Sequence, residues 1–179
     1  MARAIYLDSC AFDELFKHGV EPRDIDPAEF QLLVTGAVLR ELADIPERPD
    51  EPGKKAYIER IATSGEILEQ GYFGFGPGNY GFGGGVLADL SQTEYLESTV
   101  DQLGKKRPSG SPKNATDRQL LSHAIVFAVL TNEPTLGNRV LMDKAIERGA
   151  TVIRMFDFDP TIETFAEFLR RHFPASGVV

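Results

Sequence analysis

The chain has 179 residues, a single cysteine and a formal net charge of −8. That length lets one domain bury a core without disulfides or a structural metal, Cys10 can form no internal bridge, and no apolar run approaches the roughly 18 residues of a membrane span. The acidic balance excludes general adhesion to nucleic acid, which draws its affinity from Lys and Arg, but is compatible with clustered acids that hold divalent cations.

The N-terminus lacks the basic stretch and apolar region of a secretory signal, so the expectation is a soluble, cytoplasmic protein with no membrane partner. Residues 2–8, ARAIYLD, read as a strand buried in a sheet. SCAFDELFKHG then reads as a helix with Phe12, Leu15 and Phe16 on one face and Gly19 able to stop it. EFQLLVTG reads as a second strand, and VLRELADI as a helix that Pro46 ends. KKAYIERIATSGEILEQ has the pattern of a third helix. The glycine-rich run at residues 71–85 is expected to be a long loop, VLADLSQTEYLESTVDQLG returns to helical spacing, and residues 104–114 form a second, basic loop.

NATDRQLLSHA starts a helix with Asn114 or Thr116 as its cap, and IVFAVLTN reads as a strand. NRVLMDKAIERGA is a helix closed by Gly149, TVIRMF a strand, and TIETFAEFLRRHF the last helix. Strands alternate with helices throughout, which predicts an α/β fold: a three-layer α/β/α sandwich with a mostly parallel central sheet. One domain spans residues 1–179, with loop insertions near 71–85 and 104–114.

In such a sheet, ligands bind beyond the carboxyl ends of the strands. Asp8 ends the first strand, Glu41 lies in the helix after the second, Asp117 lies in the first turn of NATDRQLLSHA, and Glu133 follows IVFAVLTN. Gathered carboxylates raise each other's pKa and persist together when a cation sits among them. Oxygen ligation favours Mg²⁺ or Mn²⁺, and the three histidines are scattered without ligand spacing. Each acid also has a plainer reading, as a strand-end, helix-start or turn residue.

In these four segments, IYLDSCAF, VLRELADI, NATDRQLLSHA and VLTNEPTL, the chain resembles the PIN domain family of metal-dependent ribonucleases, which includes the toxins of toxin-antitoxin systems. The ordered set covers residues 3 to 156. The resemblance implies that Asp8, Glu41, Asp117 and Glu133 are catalytic acids holding one or two Mg²⁺ or Mn²⁺ ions, with Ser9 and Asn132 helping to hold the site. It implies an endonuclease that cuts single-stranded RNA to a 5′-phosphate and a 3′-hydroxyl, with an antitoxin or other protein partner and a homodimer among its associations. Two departures stand out: Cys10 occupies a position where many members carry Asn or another small polar residue, and Glu133 replaces the more usual Asp.

Lys105, Lys106, Arg107 and Lys113 form a run with no acid among them, leading straight into the helix of Asp117. They are the expected RNA contacts, with Arg118 and Arg139 beside them, although such a run also suits a solvated loop. Tyr72, Phe73, Phe75, Tyr80 and Phe82 are expected to cover a sheet edge or a subunit contact in preference to stacking on bases. GPGNYG matches a dinucleotide-binding pattern by letter but stands mid-chain in a glycine run, and DFDPT matches a phosphatase signature but has only a short tail after it. The rival functional readings are a catalytically weak PIN-like binding or assembly module and a structure-specific DNase. The DNase would draw extra acids from Asp13, Asp143 and Asp157.

Overall fold

A computed structural model describes residues 2–73, 85–106 and 112–173. In chain order the elements are β1 (Arg3–Leu7), α1 (Ser9–Lys17), β2 (Phe30–Val34), α2 (Gly36–Ala43), α3 (Lys54–Thr63), β3 (Ile67–Glu69), β4 (Gly71–Tyr72), β5 (Gly85–Val86), α4 (Leu90–Ser98), α5 (Ala115–Ala124), β6 (Ala128–Thr131), α6 (Arg139–Ile146), β7 (Thr151–Arg154) and α7 (Phe165–Arg171).

Five strands make one parallel sheet in the order β3-β2-β1-β6-β7, and β4 and β5 form a separate pair. The chain builds outward from β1 to β3, then returns to lay β6 on the other side of β1. The junction of β1 and β6 is therefore the place where the connections part in opposite directions and leave a crevice at the carboxyl edge. Helices cover the sheet to give the α/β/α sandwich, with α1 packed on α2 and α3, and α5 packed on α4 and α6.

Ile5, Tyr6 and Leu7 of β1 are all fully buried. A central parallel strand is covered on both faces, so its sequence is continuously apolar where a half-buried strand would alternate. Ala11, Phe12 and Leu15 carry α1 into the same core at helical spacing. Each fully buried Leu or Phe contributes about 1.5–3 kcal/mol relative to exposure, and these side chains set how rigidly the strand ends are held. The acidic loops sit on that frame.

Four sequence readings need correction. The run at residues 71–85, expected as loop, begins in β4 and ends in β5, with Gly71 opposite Gly85. KKAYIERIATSGEILEQ is a helix only to Thr63; Gly65 turns the chain at φ +82°, and Ile67–Glu69 becomes the edge strand β3, with Ile67 opposite Leu32. Three residues are too few for strand alternation to show in a sequence. Asn114 stands at the N-cap of α5 but makes no side-chain capping bond, its amide donating instead to the Gln102 carbonyl, and the Thr116 hydroxyl donates to Glu41. The last helix begins at Phe165, where Thr164 and Glu167 close a capping box that the preceding apolar residues obscured. Among the described residues, no helix is long and apolar enough to cross a membrane.

Candidate functional site

Asp8 is the first residue beyond β1 and is only 3 % exposed. Its backbone N–H continues the sheet by donating to the Leu130 carbonyl at 3.0 Å, so its side chain is fixed at the junction of β1 and β6. Oδ1 accepts from the Ser9 N–H at 2.7 Å and caps α1. Oδ2 accepts from the Thr131 hydroxyl at 2.8 Å and from the Cys10 thiol at 3.0 Å. The Ser9 hydroxyl stands 3.5 Å from Oδ1.

Cys10 thus fills a small polar position with a thiol. Its Sγ lies 3.2 Å from the Thr131 hydroxyl and accepts from the Asn132 N–H at 3.1 Å. Burial above all, then the charge of Asp8 and the hydrogen bond to it, push the thiol up to about 12. At neutral pH Cys10 is a protonated donor that steadies Asp8. Asn132 adds a backbone contact, while its buried Oδ1 has no hydrogen-bond partner among the described residues.

Glu133 follows at the mouth, its backbone N–H donating to Thr131 Oγ1 at 3.1 Å. Ligand atoms of Asp8, Cys10 and Glu133 all lie within 4.8 Å of one another. Partial burial, followed by the charges of Asp8 and Glu41, holds the Glu133 carboxyl above its ordinary range. Glu41 arrives from α2 and is tied to α5, its Oε1 accepting from the Thr116 hydroxyl at 3.0 Å. Asp117 follows Thr116 in the first turn of α5 and packs against the loop after β6. A Cβ on Gly137 would stand 3.0 Å from Asp117 Cβ and 3.6 Å from its Oδ2. The structure thus brings Asp8 and Glu133 together, with Glu41 near enough for its charge to act on Glu133, and places Asp117 beside Gly137 of the loop after β6.

This placement follows from local chemistry. A strand that ends on Asp places a carboxylate where a helix must start, and the orphan N–H groups there hold it. The sequence assigns no role in the site to Thr131, Thr116 or Gly137, Thr116 being read only as a candidate cap. Thr131 and Thr116 each sit one residue before a position singled out for the site, and Gly137 at φ +74° has the backbone that lets the β6 loop close on Asp117.

Other candidates lie elsewhere. Arg118 turns away from the crevice: its Nε donates to Thr99 Oγ1 at 2.9 Å, and a second nitrogen bonds the Leu96 carbonyl, so it braces the end of α4. Arg139 faces Asp143 at 3.5 Å on the exposed side of α6. Lys105, Lys106 and Lys113 are exposed on a loop closed by the Lys113 N–H to the Lys105 carbonyl at 3.1 Å, immediately before α5. Arg107 lies outside the described residues, as do Phe75, Tyr80, Phe82 and the GPGNYG run. Tyr72 is buried, stacked on His123 at 4.2 Å, and so covers the core.

Two of the extra acids, Asp13 and Asp143, are paired with cations, and Asp157 is seen to bond through its backbone. Asp13 pairs with Lys54 at 2.9 Å, Asp143 faces Arg139, and the Asp157 carbonyl accepts from Arg171. In DFDPT, Asp159 accepts from the N–H and hydroxyl of Thr161, a local turn.

Comparison with protein-family models, with curated proteins and with solved structures returned no match to this chain.

Proposed function

We propose that the chain is a divalent-metal-dependent endoribonuclease that hydrolyses phosphodiester bonds of single-stranded RNA, with Asp8, Glu41, Asp117 and Glu133 as its working acids. The observation that carries this reading is the meeting of Asp8 and Glu133 at the switch point of the sheet, their ligand atoms within 4.8 Å, where burial and then the charges of Asp8 and Glu41 hold the Glu133 carboxyl above its ordinary range. Carboxylates so placed repel one another, and a divalent cation relieves the repulsion. Mg²⁺ or Mn²⁺ suits the carboxylate oxygens of Asp8 and Glu133, with Glu41 near enough to act on Glu133 and the buried Asn132 Oδ1 without a partner among the described residues.

When bound, such a cation supplies the Lewis-acid stabilisation and the water activation that in-line attack on phosphorus requires. The chain's residues do the rest. Asp8 is held rigidly by Ser9, Cys10 and Thr131, which fixes the centre of the site. The Thr116 hydroxyl orients Glu41, and Gly137 makes room for Asp117. Lys105, Lys106 and Lys113, on the loop that feeds α5, draw the strand toward the crevice by its phosphates. Water oxygen joins phosphorus as the bond to the 3′ oxygen breaks. That oxygen takes a proton, leaving a 5′-phosphate and a 3′-hydroxyl.

Labelled single-stranded RNA incubated with the protein and Mn²⁺ or Mg²⁺ is the test. Cleavage by the wild type, lost in Asp8→Asn and in Asp117→Asn while both variants remain folded, supports the reading. Equal inertness of all three across RNAs and DNAs removes it.

A second reading has its own observation. Oδ1 and Oδ2 of Asp8 together accept three hydrogen bonds no longer than 3.0 Å, so much of this carboxylate is spent on structure. A binding module that retains the acidic crevice without turnover fits that arrangement. It would bind RNA, or Mn²⁺ by calorimetry, without cutting.

A further inference from the structure

A groove of about 660 Å³ lies between the end of α1 with its following turn and the segment that leads into α7. It opens beyond the Lys17 end of α1, whereas Asp8 caps the opposite end, so the length of the helix separates it from the acids. Its volume falls in the range of ligand-binding clefts. The floor is apolar, with Ile25, Phe158 and Phe165 each less than a tenth exposed, and Ile162 stands on the rim at 80 % exposure.

The charges around this floor are unequal. Arg170, which lines the groove, is clamped by two bonds of 2.6 Å to Glu29, and His18 is held by Glu14 at 3.3 Å. Glu21 is matched by Arg60, and Glu163 by Arg171. Among the described residues, Asp24 on one wall and Glu167 on the other form no ion pair, although the charge of Arg170, itself held by Glu29, reaches Glu167. Glu167 accepts only from the N–H and hydroxyl of Thr164. Asp159, beside the lining residue Pro160, accepts only from Thr161. Among the described residues that line the groove, the charges left without an ion-pair partner are negative.

From this we infer that the groove docks a basic, aliphatic segment of a partner protein, its apolar side chains on Phe158, Phe165 and Ile162 and its Lys or Arg side chains between Asp24 and Glu167. An apolar floor with a polar rim is the anatomy of a protein interface, and opposite charges across it steer encounter and set specificity. A polynucleotide would meet the wrong sign here. The inference does not rest on the nuclease reading, since none of its residues belongs to the crevice.

The test uses the full chain and a fluorescent peptide of about a dozen alternating Leu and Lys residues, followed by anisotropy, with a Leu/Glu peptide as its counterpart. The wild type is expected to bind the Leu/Lys peptide and not the Leu/Glu peptide. Ile162→Asp and Asp24→Lys, both at exposed positions, should each weaken binding by about tenfold or more, a loss of roughly 1.4 kcal/mol. Glu94→Lys, on exposed α4, should leave it unchanged. The inference is overturned if no peptide binds, if Glu94→Lys weakens binding as much as Asp24→Lys, or if spermine displaces the peptide and Ile162→Asp has no effect. The last result would mark a site for small amines.

Discussion

His123→Phe should remove much of the protein's sensitivity to acid. The imidazole is fully buried between two rings, 4.0 Å from Tyr6 and 4.2 Å from Tyr72, and neither nitrogen meets a hydrogen-bond partner among the described residues. Burial alone lowers its pKa from 6.5 to about 3. The folded state therefore keeps the ring neutral while the unfolded chain protonates it, so the unfolded state binds the extra proton. Stability from this group is complete above the unfolded value and is lost as pH falls from 6.5 toward the folded value. At about pH 4.5, two pH units below the ordinary value, the loss is roughly 3 kcal/mol, a large part of the 5–15 kcal/mol of a typical domain. Phenylalanine stacks in the same slot and carries no proton. Urea unfolding of both proteins between about pH 7.5 and pH 4.5 reads the effect as a difference in slope, which any overpacking by Phe does not touch. Parallel stability curves, or an imidazole signal that titrates near its ordinary value by NMR in the folded protein, would refute the argument.

The crevice offers sharper tests of chemistry. Gly137→Ala forces a Cβ to 3.0 Å from Asp117 and 3.1 Å from Leu141 at φ +74°, so it should cost about 1–3 kcal/mol by thermal melting and reduce cleavage more than it reduces RNA binding. Thr116→Val removes the hydroxyl that holds Glu41, and should weaken Mn²⁺ binding measured by calorimetry while lowering stability by about 1 kcal/mol. Because the Glu133 carboxyl is held above its ordinary range, it protonates earlier than a free glutamate as pH falls, and Mn²⁺ affinity should fall with it. Glu133→Gln should flatten that part of the pH profile. Arg118→Met should destabilise the protein by about 1–3 kcal/mol through the lost brace on α4, and leave the dependence of RNA binding on salt unchanged.

Much of the architecture is legible in the letters because strong local signals agree. The run IYLD and the glycines that end α1 and α6 point to the same alternating sandwich. The sequence also orders the acids along the chain, and the known habit of parallel sheets points to the edge at which Asp8 and Glu133 come together. What it leaves hidden depends on distance in the chain. Nothing near Cys10 says that its thiol meets a threonine 121 positions away. Arg118 has the composition of an RNA contact, and only the packing of α4 on α5 reveals that its guanidinium is used inside the protein. The edge strand Ile67–Glu69 looked helical because its role is set by the free side of β2, a neighbour the local pattern does not encode.

The triple use of Asp8 has an evolutionary consequence. One carboxylate ends β1, caps α1 and ties both to β6, so selection for folding alone is enough to keep an aspartate there, whether or not the crevice turns over a substrate. The side chain of Glu133 carries no such duty: its carboxylate forms no hydrogen bond or ion pair among the described residues, and it is held close to other acids at an electrostatic cost. In a set of homologues, position 8 would stay fixed in active and inactive copies alike. Position 133 is the one free to drift once the chemistry is lost, and its history would date that loss.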